Sequence, residues 1–428
     1  MKVVIAGGSS QSTPCLLCDD RLAPLSGNLE FWLLGRSTER LNGVKRAAYL
    51  LGCRATVHCM TIYDNDLPRA LDAADVVLVQ ARYGGYRARE YDETFPHRYG
   101  MCGDEGLGPG GLAAAWRTWP QLSRLLDEIL RCCRRANVVL MTAPVSILMR
   151  CIRLKYPSLA AAGICELPWT TLRVVCEAVG ADLDQVGFDY VGTNHVGWFY
   201  RIICGSRDLV AEYASSLDGG GGFPTQSLIQ TLGAVPLKYL RLHYCSQTAL
   251  EDQLAQAPRA RVLEELDHRA SQRFAENDAE AIRAILSLRP TPWYSNAVAP
   301  LIAGWLGASV TQKLFLSMCN QYHETDLMPS DVIEIPCQFV GGKLVRRPNL
   351  TKPPAHIRRA LHDFMRYERA AASAVVERDS SSLEWAISQH PWLPEPAAAA
   401  AIAADVRAGA LTTFEARPLL PVTSYCSN

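Results

Sequence analysis

The chain opens with the stretch MKVVIAGGSSQSTP, which occupies residues 1–14. Residues 2–6 form a short apolar, β-branched run typical of a buried strand. Glycine and serine follow at 7–10, and Thr13-Pro14 has the pattern of an N-cap before a proline at the first helical position. A strand, a glycine turn and a helix predict the first unit of a parallel α/β sheet.

The same alternation continues along the first third of the chain. Apolar runs predict further strands near residues 29–34, 75–80 and 138–141. Helical spacing of apolar residues is seen at Leu41, Val44, Ala48 and Leu51, which stop at Gly52, and again over residues 120–136. Strands that alternate with helices predict a doubly wound parallel sheet of the Rossmann-like class.

The pattern becomes less regular after about residue 163. Strands are expected near residues 186–190 and 332–340, a helical region over 355–389, and one more helix after Pro396. We therefore predict two domains. Residues 1–165 would form a dinucleotide-binding Rossmann-like domain, and residues 166–428 an α+β domain with a helical C-terminal region.

Composition limits the kind of partner. The 428 residues contain 43 Lys plus Arg and 43 Asp plus Glu, so no net charge attracts nucleic acid or an anionic membrane. The amino terminus lacks the pattern of a secretory signal, and no apolar run is long enough to cross a bilayer. We expect a cytoplasmic enzyme with a small-molecule ligand, whose 15 cysteines are reduced thiols.

The glycine turn is the candidate cofactor site. The backbone N–H groups of Gly7, Gly8, Ser9 and Ser10, at the start of a helix, would face the pyrophosphate of a dinucleotide. The turn lacks the full G-x-G-x-x-G spacing, so an ordinary strand-to-helix turn is the alternative interpretation.

Several later segments, taken together with residues 7–14, are similar to glycoside hydrolase family 4 in their order and spacing. The segments are 81–100 (ARYGGYRAREYDETFPHRYG), 103–111 (GDEGLGPGG), 164–168 (ICELP), 192–198 (GTNHVGW), 236–239 (PLKY) and 334–337 (EIPC). The chain resembles that family from residue 1 to about residue 345.

The resemblance implies a lactate/malate dehydrogenase-like arrangement, a homo-oligomer and an unusual hydrolytic route. Such enzymes oxidise the sugar at C3 with bound NAD, remove the C2 proton, eliminate the aglycone, add water and return the hydride. A divalent metal, typically manganese, acts as a Lewis acid at the C2 and C3 oxygens. The implied substrate is a 6-phosphorylated hexoside, because the NHVGW segment is closer to the phosphoglycosidase members.

The resemblance also implies roles for individual residues. Cys165 and His195 match the metal ligands, and a thiolate with an imidazole suits manganese better than magnesium. Tyr239 matches the base that takes the C2 proton, and Glu166 falls where some members have an acid for the leaving group. Without the resemblance, Cys165, His195 and Tyr239 would be interpreted as core or packing residues.

Four further residues match positions near the sugar or its phosphate: Arg89, Asn194, Arg259 and Glu105. A guanidinium fork suits an oxyanion, although Arg89 and Arg259 could instead be solvated helix charges. The segment with Glu105 matches a loop that faces cofactor and substrate; the alternative is a Gly-Pro turn before a helix.

Three departures from the family pattern leave alternatives open. Residues 34–37 (LGRS) stand where the family has an acid for the adenosine ribose; the acid is lost at Gly35 and Arg36 is new, so NADP is an alternative to NAD. Ala143 replaces a substrate- or cofactor-binding Asn, and Tyr322 replaces a Gly near the sugar pocket. The alternative functions are a sugar dehydrogenase or dehydratase of a biosynthetic pathway, and a non-catalytic nucleotide-binding relative.

Overall fold

A nine-stranded sheet forms the centre of the computed structural model, which describes residues 1–62, 67–217, 222–321, 324 and 326–411. A smaller antiparallel sheet packs beside it. The strands are β1 (Lys2–Ala6), β2 (Glu30–Gly35), β3 (Thr56–Thr61), β4 (Val76–Val79), β5 (Asn137–Leu140), β6 (Ala161–Ile164), β7 (Gly187–Thr193), β8 (Val196–Cys204), β9 (Arg207–Asp208), β10 (Val235–Pro236), β11 (Leu314–Cys319), β12 (Val332–Val340) and β13 (Lys343–Arg346).

Helices cover both faces of the large sheet. They are α1 (Thr13–Leu17), α2 (Thr38–Leu50), α3 (Leu67–Leu71), α4 (Gly85–Thr94), α5 (Gly108–Cys132), α6 (Val145–Lys155), α7 (Leu167–Ala178), α8 (Leu209–Ser216), α9 (Gln226–Leu232), α10 (Arg241–Tyr244), α11 (Ser246–Ala255), α12 (Arg259–Ala275), α13 (Ala279–Ser287), α14 (Ala299–Trp305), α15 (Ala355–Glu377), α16 (Ser380–Ser388) and α17 (Ala399–Leu411). None of the helices within the described ranges is long and apolar enough to cross a bilayer.

The first six strands are parallel and lie in the order β3-β2-β1-β4-β5-β6. This is the doubly wound arrangement that the sequence predicts, and its strand order reverses between β1 and β4. Successive residues of β1 confirm that both faces are buried: Val3 and Ile5 pack in one core cluster, and Val4 packs in the other. The carboxyl ends of β1 and β4 therefore open onto a crevice at the switch point.

Three strands from the second half of the chain extend this sheet. β11 pairs antiparallel with β6, and β12 and β13 follow outward. The domain boundary near residue 165 stays a prediction, but the hydrogen bonding of the sheet continues across it. A separate sheet of β7, β8, β9 and β10 carries the hairpin at residues 194–195.

Several predicted boundaries are shifted in the structure. Helix α1 begins at Thr13 with Ser12 as its N-cap, so the prediction of Thr13 as the cap is wrong. The Thr13 hydroxyl instead accepts a hydrogen bond from Gln80 Nε2 at 3.0 Å. The helix predicted over 355–389 is divided at Arg378, which has a left-handed φ of 59°. Strand β3 has no counterpart in the prediction.

Candidate active site

A cleft of about 1050 Å³ lies above the carboxyl ends of β1, β2 and β4. Gly7, Ser9, Ser10 and Arg36 line it, where the sequence places a dinucleotide. Gly8 does not line it, because its Cα faces β2: a Cβ there would lie 2.8 Å from Leu33 Cβ. Four of the five predicted cofactor residues therefore share one cavity.

The turn uses some of its donors internally. The backbone N–H groups of Gly7 and Gly8 both donate to the Leu34 carbonyl, at 3.0 and 2.9 Å. Ser9 and Gln11 are different, since their backbone N–H groups have no acceptor among the described residues. The expectation that Gly8 faces a pyrophosphate is thus not supported by its geometry, and Gln11 is a cleft residue that sequence reasoning missed.

Helix α12 forms the opposite wall of the cleft. Its Asp267 is buried and accepts a hydrogen bond from Arg40 NH2 at 2.5 Å, which joins α12 to α2 across the cleft. Arg36 is exposed at the end of β2. The sequence could not indicate Asp267, because 227 residues separate it from Arg40. The cleft thus contains a carboxylate that does not come from β2.

A second cluster forms around the ring of Tyr239. This ring stacks on His195, with centroids 4.1 Å apart and planes inclined by 2°. His195 lies in the turn between β7 and β8 with a left-handed φ of 68°, and Tyr239 lies in a short 3-10 turn at Lys238–Leu240. Cys165, directly after β6, packs against the same apolar cluster as Tyr239.

The predicted metal ligands have the chemistry that a transition-metal cation requires. Burial and the nearby Lys238 lower the pKa of His195 to about 4, so the imidazole is neutral, and its Nδ1 atom is buried with no hydrogen-bond partner in the described structure. Burial and the carboxylates of Glu166 and Glu334 raise the pKa of the Cys165 thiol well above its usual range. A cation bound there would reverse that shift.

The protein offers few other ligands at this point. Among the described residues, no group of three or more His, Cys, Asp or Glu side chains is arranged to hold a metal ion. Cys165 and His195 would therefore form only part of a coordination sphere, with substrate or water oxygens completing it. These two side chains fit an open site of the kind used in catalysis.

The surroundings of Tyr239 oppose its ionisation. Burial raises the pKa of the phenol far above 10, and the carboxylate of Asp104, the Cys165 thiol and the Glu105 carboxylate raise it further. Arg89 opposes these effects only in part. Lys238 Nζ lies 5.6 Å from the ring centroid. A phenolate at this position would need an additional positive charge nearby.

Glu105 lies between the cofactor cleft and the Tyr239 cluster. Arg82, which lines the cleft, donates two hydrogen bonds to its carboxylate at 3.0 and 3.1 Å, and Arg89 forms an ion pair with it at 2.8 Å. Burial raises the pKa of Glu105, but Arg82 and Arg89 outweigh that effect and hold it at about 2. Glu105 is therefore ionised and fixed between the cofactor cleft and the Tyr239 cluster.

The predicted phosphate-binding arginines differ in their surroundings. Arg89 is half-buried and also donates to Glu93 at 2.6 Å, whereas Arg259 is exposed at the start of α12. Arg289 lies close enough to Arg82 and Arg89 for their charges, together with burial, to lower its pKa. Its guanidinium stands 5.3 Å from the Trp293 ring centroid, and no ion pair involves it within the described ranges. Sequence reasoning missed this third cation.

Glu166 follows Cys165 directly in the chain, and both Glu166 and Asn194 affect the pKa of the Cys165 thiol. Burial raises the pKa of Glu166, and its Oε2 atom is buried without a partner in the described structure. Such a carboxyl is suited to carry a proton. The Asn194 amide donates to Glu334 Oε1 at 3.3 Å, so its nitrogen is held by a carboxylate of β12.

Two residues that depart from the family pattern remain. Ala143 is half-buried between β5 and α6, and Tyr322 lies outside the described residues.

The loop that carries Glu105 is held by a close backbone approach at Gly110. A Cβ at this position would lie 2.1 Å from the Asp92 carbonyl oxygen and 2.5 Å from that of Asp104. We expect Gly110→Ala to lower the free energy of unfolding by at least about 2 kcal/mol, because neither contact is with a side chain that can move. Urea unfolding measures this.

Gly43→Ala is the matched control for Gly110→Ala. Gly43 also lies within a helix, but its added Cβ would meet Phe274 Cβ at an ordinary 3.5 Å. We expect that variant to be as stable as the wild type, or more stable by up to about 1 kcal/mol. Equal stability of Gly110→Ala and the wild type would contradict the close approach.

Comparison with known proteins gives two family models that match this chain. A family model described as "Family 4 glycosyl hydrolase" matches residues 2–181, and one described as "Family 4 glycosyl hydrolase C-terminal domain" matches residues 190–393. The two matches adjoin one another and cover most of the chain, including the cleft and the Tyr239 cluster.

Individual relatives are distant but extend along the chain. A probable 6-phospho-beta-glucosidase of Bacillus subtilis is 25% identical over 422 residues, which cover 92% of each chain. The 6-phospho-beta-glucosidase BglT of Thermotoga maritima is 26% identical over 331 residues, 75% of this chain and 78% of that one. A solved structure of the Thermotoga maritima 6-phospho-beta glucosidase with manganese, NAD+ and glucose-6-phosphate has a TM-score of 0.85 at 22% identity, covering 96% of this chain and 99% of that chain. The fold is shared.

Proposed function

This chain belongs to glycosyl hydrolase family 4, and we propose on that basis that it hydrolyses a 6-phosphorylated hexoside with bound NAD and a divalent cation, manganese. The names of its relatives support the substrate class, and the ligands of the Thermotoga maritima structure support the two cofactors. The residues of this chain fit both groups, since the cleft has backbone donors with no acceptor among the described residues, and a separate cluster contains a neutral imidazole and a half-buried thiol.

One observation supports the proposal more than any other: the loop of Glu105 contacts both the cofactor cleft and the Tyr239 cluster. Arg82 lines the cleft and holds Glu105, and a Cβ at the next residue, Gly106, would lie 3.1 Å from His195 Nδ1. A sugar bound between them would present one carbon to the cofactor and the neighbouring carbon to Tyr239. Oxidation at C3 and deprotonation at C2 require such an arrangement.

NAD+ held in the cleft would supply a hydride acceptor for C3, and a divalent cation held by Cys165 and His195 would supply the Lewis acidity that makes the C2 proton acidic. Tyr239, as the phenolate that the nearby cation would stabilise, takes that proton and becomes the neutral phenol, and the bond from C1 to the aglycone oxygen breaks. Glu166 donates a proton to the leaving oxygen. Its raised pKa keeps it protonated at higher pH than an exposed carboxyl. Water would then add at C1 as C2 regains a proton, and return of the hydride to C3 would restore the hydroxyl and the oxidised cofactor.

Arginines position the substrate in this proposal. Arg89 is held by Glu93 and Glu105, so its guanidinium has a fixed position from which it can donate to the sugar. Arg259, and the additional cation Arg289, are the groups we propose for the 6-phosphate, because a guanidinium fork binds two phosphate oxygens at once. Asn194 contributes through its oxygen, since its nitrogen donates to Glu334.

Solvent exchange tests the proposal. A 6-phosphoglucoside incubated with the enzyme, NAD and manganese in D₂O is expected to carry deuterium at C2 of the released sugar, without net formation of NADH. Accumulation of NADH would indicate a sugar dehydrogenase instead. Unlabelled substrate and no turnover would indicate a non-catalytic relative, and release of an unlabelled sugar would exclude the C2 step.

The cofactor preference depends on Arg36. We expect the wild type to bind NAD and to bind NADP as well, because an exposed guanidinium at the end of β2 can pair with a 2′-phosphate. Arg36→Ala should weaken NADP binding on the order of tenfold and leave NAD binding unchanged. Isothermal titration with each nucleotide measures both constants.

Arg54→Ala is the control for the Arg36 prediction, since Arg54 is another exposed arginine of the first domain that does not line the cleft. It should change neither constant. If Arg36→Ala leaves the ratio of the two affinities unchanged, Arg36 does not contact the ribose end. Binding of neither nucleotide by the wild type would refute the cofactor assignment.

We also propose a cytoplasmic location. Every cysteine within the described residues is a free thiol, several of them half-buried and accessible to oxidants. A reducing compartment suits a protein with that many thiols.

A further inference from the structure

Gln11 has an unusual side chain for its position. It is only 5% exposed and lines the cleft, yet its Nε2 atom is buried with no hydrogen-bond partner in the described structure. Buried amide donors are nearly always satisfied, because an unpaired one loses its hydration without compensation. An unpaired donor at the edge of a ligand cleft indicates that its partner arrives with the ligand.

Gln80 provides an internal comparison in the same cleft. Its Nε2 donates to the Gly7 carbonyl at 3.2 Å and to the Thr13 hydroxyl at 3.0 Å, and its Oε1 accepts from the Tyr294 hydroxyl at 2.8 Å. The protein therefore satisfies one of the two glutamine side chains at this turn completely. The amide nitrogen of Gln11 is left without such a partner.

Other donors near Gln11 point to an anion as the missing partner. The backbone N–H groups of Ser9 and Gln11 also have no acceptor among the described residues, whereas those of Gly7 and Gly8 are used by Leu34. Helix α1 has only five residues, so its dipole adds little. No carboxylate is paired with these donors in the described structure. Three neighbouring donors with no acceptor match the oxygens of a phosphate group.

We propose that Gln11 is a phosphate-binding residue of the cofactor site, whose Nε2 donates to a non-bridging pyrophosphate oxygen of the bound dinucleotide. This inference rests on the proposed function, since it requires that a dinucleotide binds in the cleft. It adds a side chain to a site that the sequence assigns to backbone N–H groups alone. The adenosine part of the cofactor makes no contact with Gln11 in this assignment.

The test compares ligands with and without phosphate. Gln11→Met keeps the length of the side chain and removes its donor. We expect the Kd of ADP-ribose to rise on the order of tenfold or more, the effect of one hydrogen bond to a charged group. The Kd of adenosine should not change. The melting temperature of the unliganded protein should stay the same or rise, because the variant removes an unsatisfied buried donor.

Gln80→Met is the matched control, and it should lower the melting temperature of the unliganded protein because it removes three hydrogen bonds. Equal ADP-ribose affinity of Gln11→Met and the wild type would overturn the inference while leaving the proposed function in place. So would equal weakening of adenosine, which would indicate a structural role. If the wild type binds neither ADP-ribose nor NAD, the proposed function fails, and the inference fails with it.

Discussion

Tyr239→Phe is expected to reduce both C2 deuterium exchange and glycoside cleavage on the order of a hundredfold or more. The phenol oxygen is the group that we propose takes the C2 proton, and phenylalanine keeps the ring that stacks on His195 at 4.1 Å. NAD and manganese should still bind, because the substitution removes no cofactor contact. Nuclear magnetic resonance follows the C2 label, and fluorescence titration follows NAD.

The environment of Tyr239 makes this prediction specific. Burial and two nearby carboxylates raise the pKa of the phenol, so activity should require the cation and should rise with pH as the phenolate forms. A tyrosine that only packs would give a variant with a small loss of stability and unchanged exchange.

Tyr244→Phe is the control for Tyr239→Phe. Tyr244 lies in the next helical turn, and its hydroxyl accepts a hydrogen bond from Trp198 Nε1 at 3.2 Å. This variant should lose about 1 kcal/mol of stability and no exchange activity. If Tyr239→Phe exchanges C2 deuterium at the wild-type rate, the base is another residue and the proposed mechanism must be abandoned.

Cys165→Ser and His195→Asn are each expected to lower manganese affinity on the order of a hundredfold or more and to remove manganese-dependent activity. Serine does not supply a thiolate, and asparagine replaces an imidazole whose Nδ1 is now buried without a partner. Asparagine is preferred to alanine because it tolerates the left-handed φ of 68°. Manganese titration by electron paramagnetic resonance measures the affinity.

Cys204→Ser is the matched control for the metal prediction. Cys204 is a half-buried thiol at the end of β8 that packs against the same apolar cluster as Cys165. This variant should retain manganese binding and activity, and all three variants should bind NAD normally. Full activity of either ligand variant, or of the wild type in a strong chelator, would refute the assignment.

Local patterns were sufficient to predict much of the fold. The alternation of strands and helices predicts the parallel part of the sheet, and the run at residues 332–340 coincides with β12. Strand β3 was not predicted from the sequence, because it lies at the edge of the sheet. Its residues are mostly half-buried and lack an apolar signature. The addition of β11 to β6 depends on pairing over about 150 residues, which no local pattern reports.

The start of α5 shows how packing overrides local signals. Gly108-Pro109-Gly110-Gly111 reads as a turn before a helix, whereas the structure includes all four residues in α5. Glycine is needed at 110 because two backbone carbonyls approach it closely. That requirement arises between segments that are distant along the chain, so the sequence alone suggested a loop.

The sequence by itself determined which residue types are present at each point of the site: Cys165, His195 and Tyr239 follow one another in motifs that can be recognised without coordinates. Only the tertiary structure decided their electrostatic state. How readily the Tyr239 phenol ionises depends on groups such as Asp104 that the fold brings near it. Whether a backbone N–H group of the glycine turn has a partner depends likewise on groups such as the Leu34 carbonyl. Charges and hydrogen bonds act over a few ångströms in space, and neighbours at that distance are set by packing and not by sequence separation.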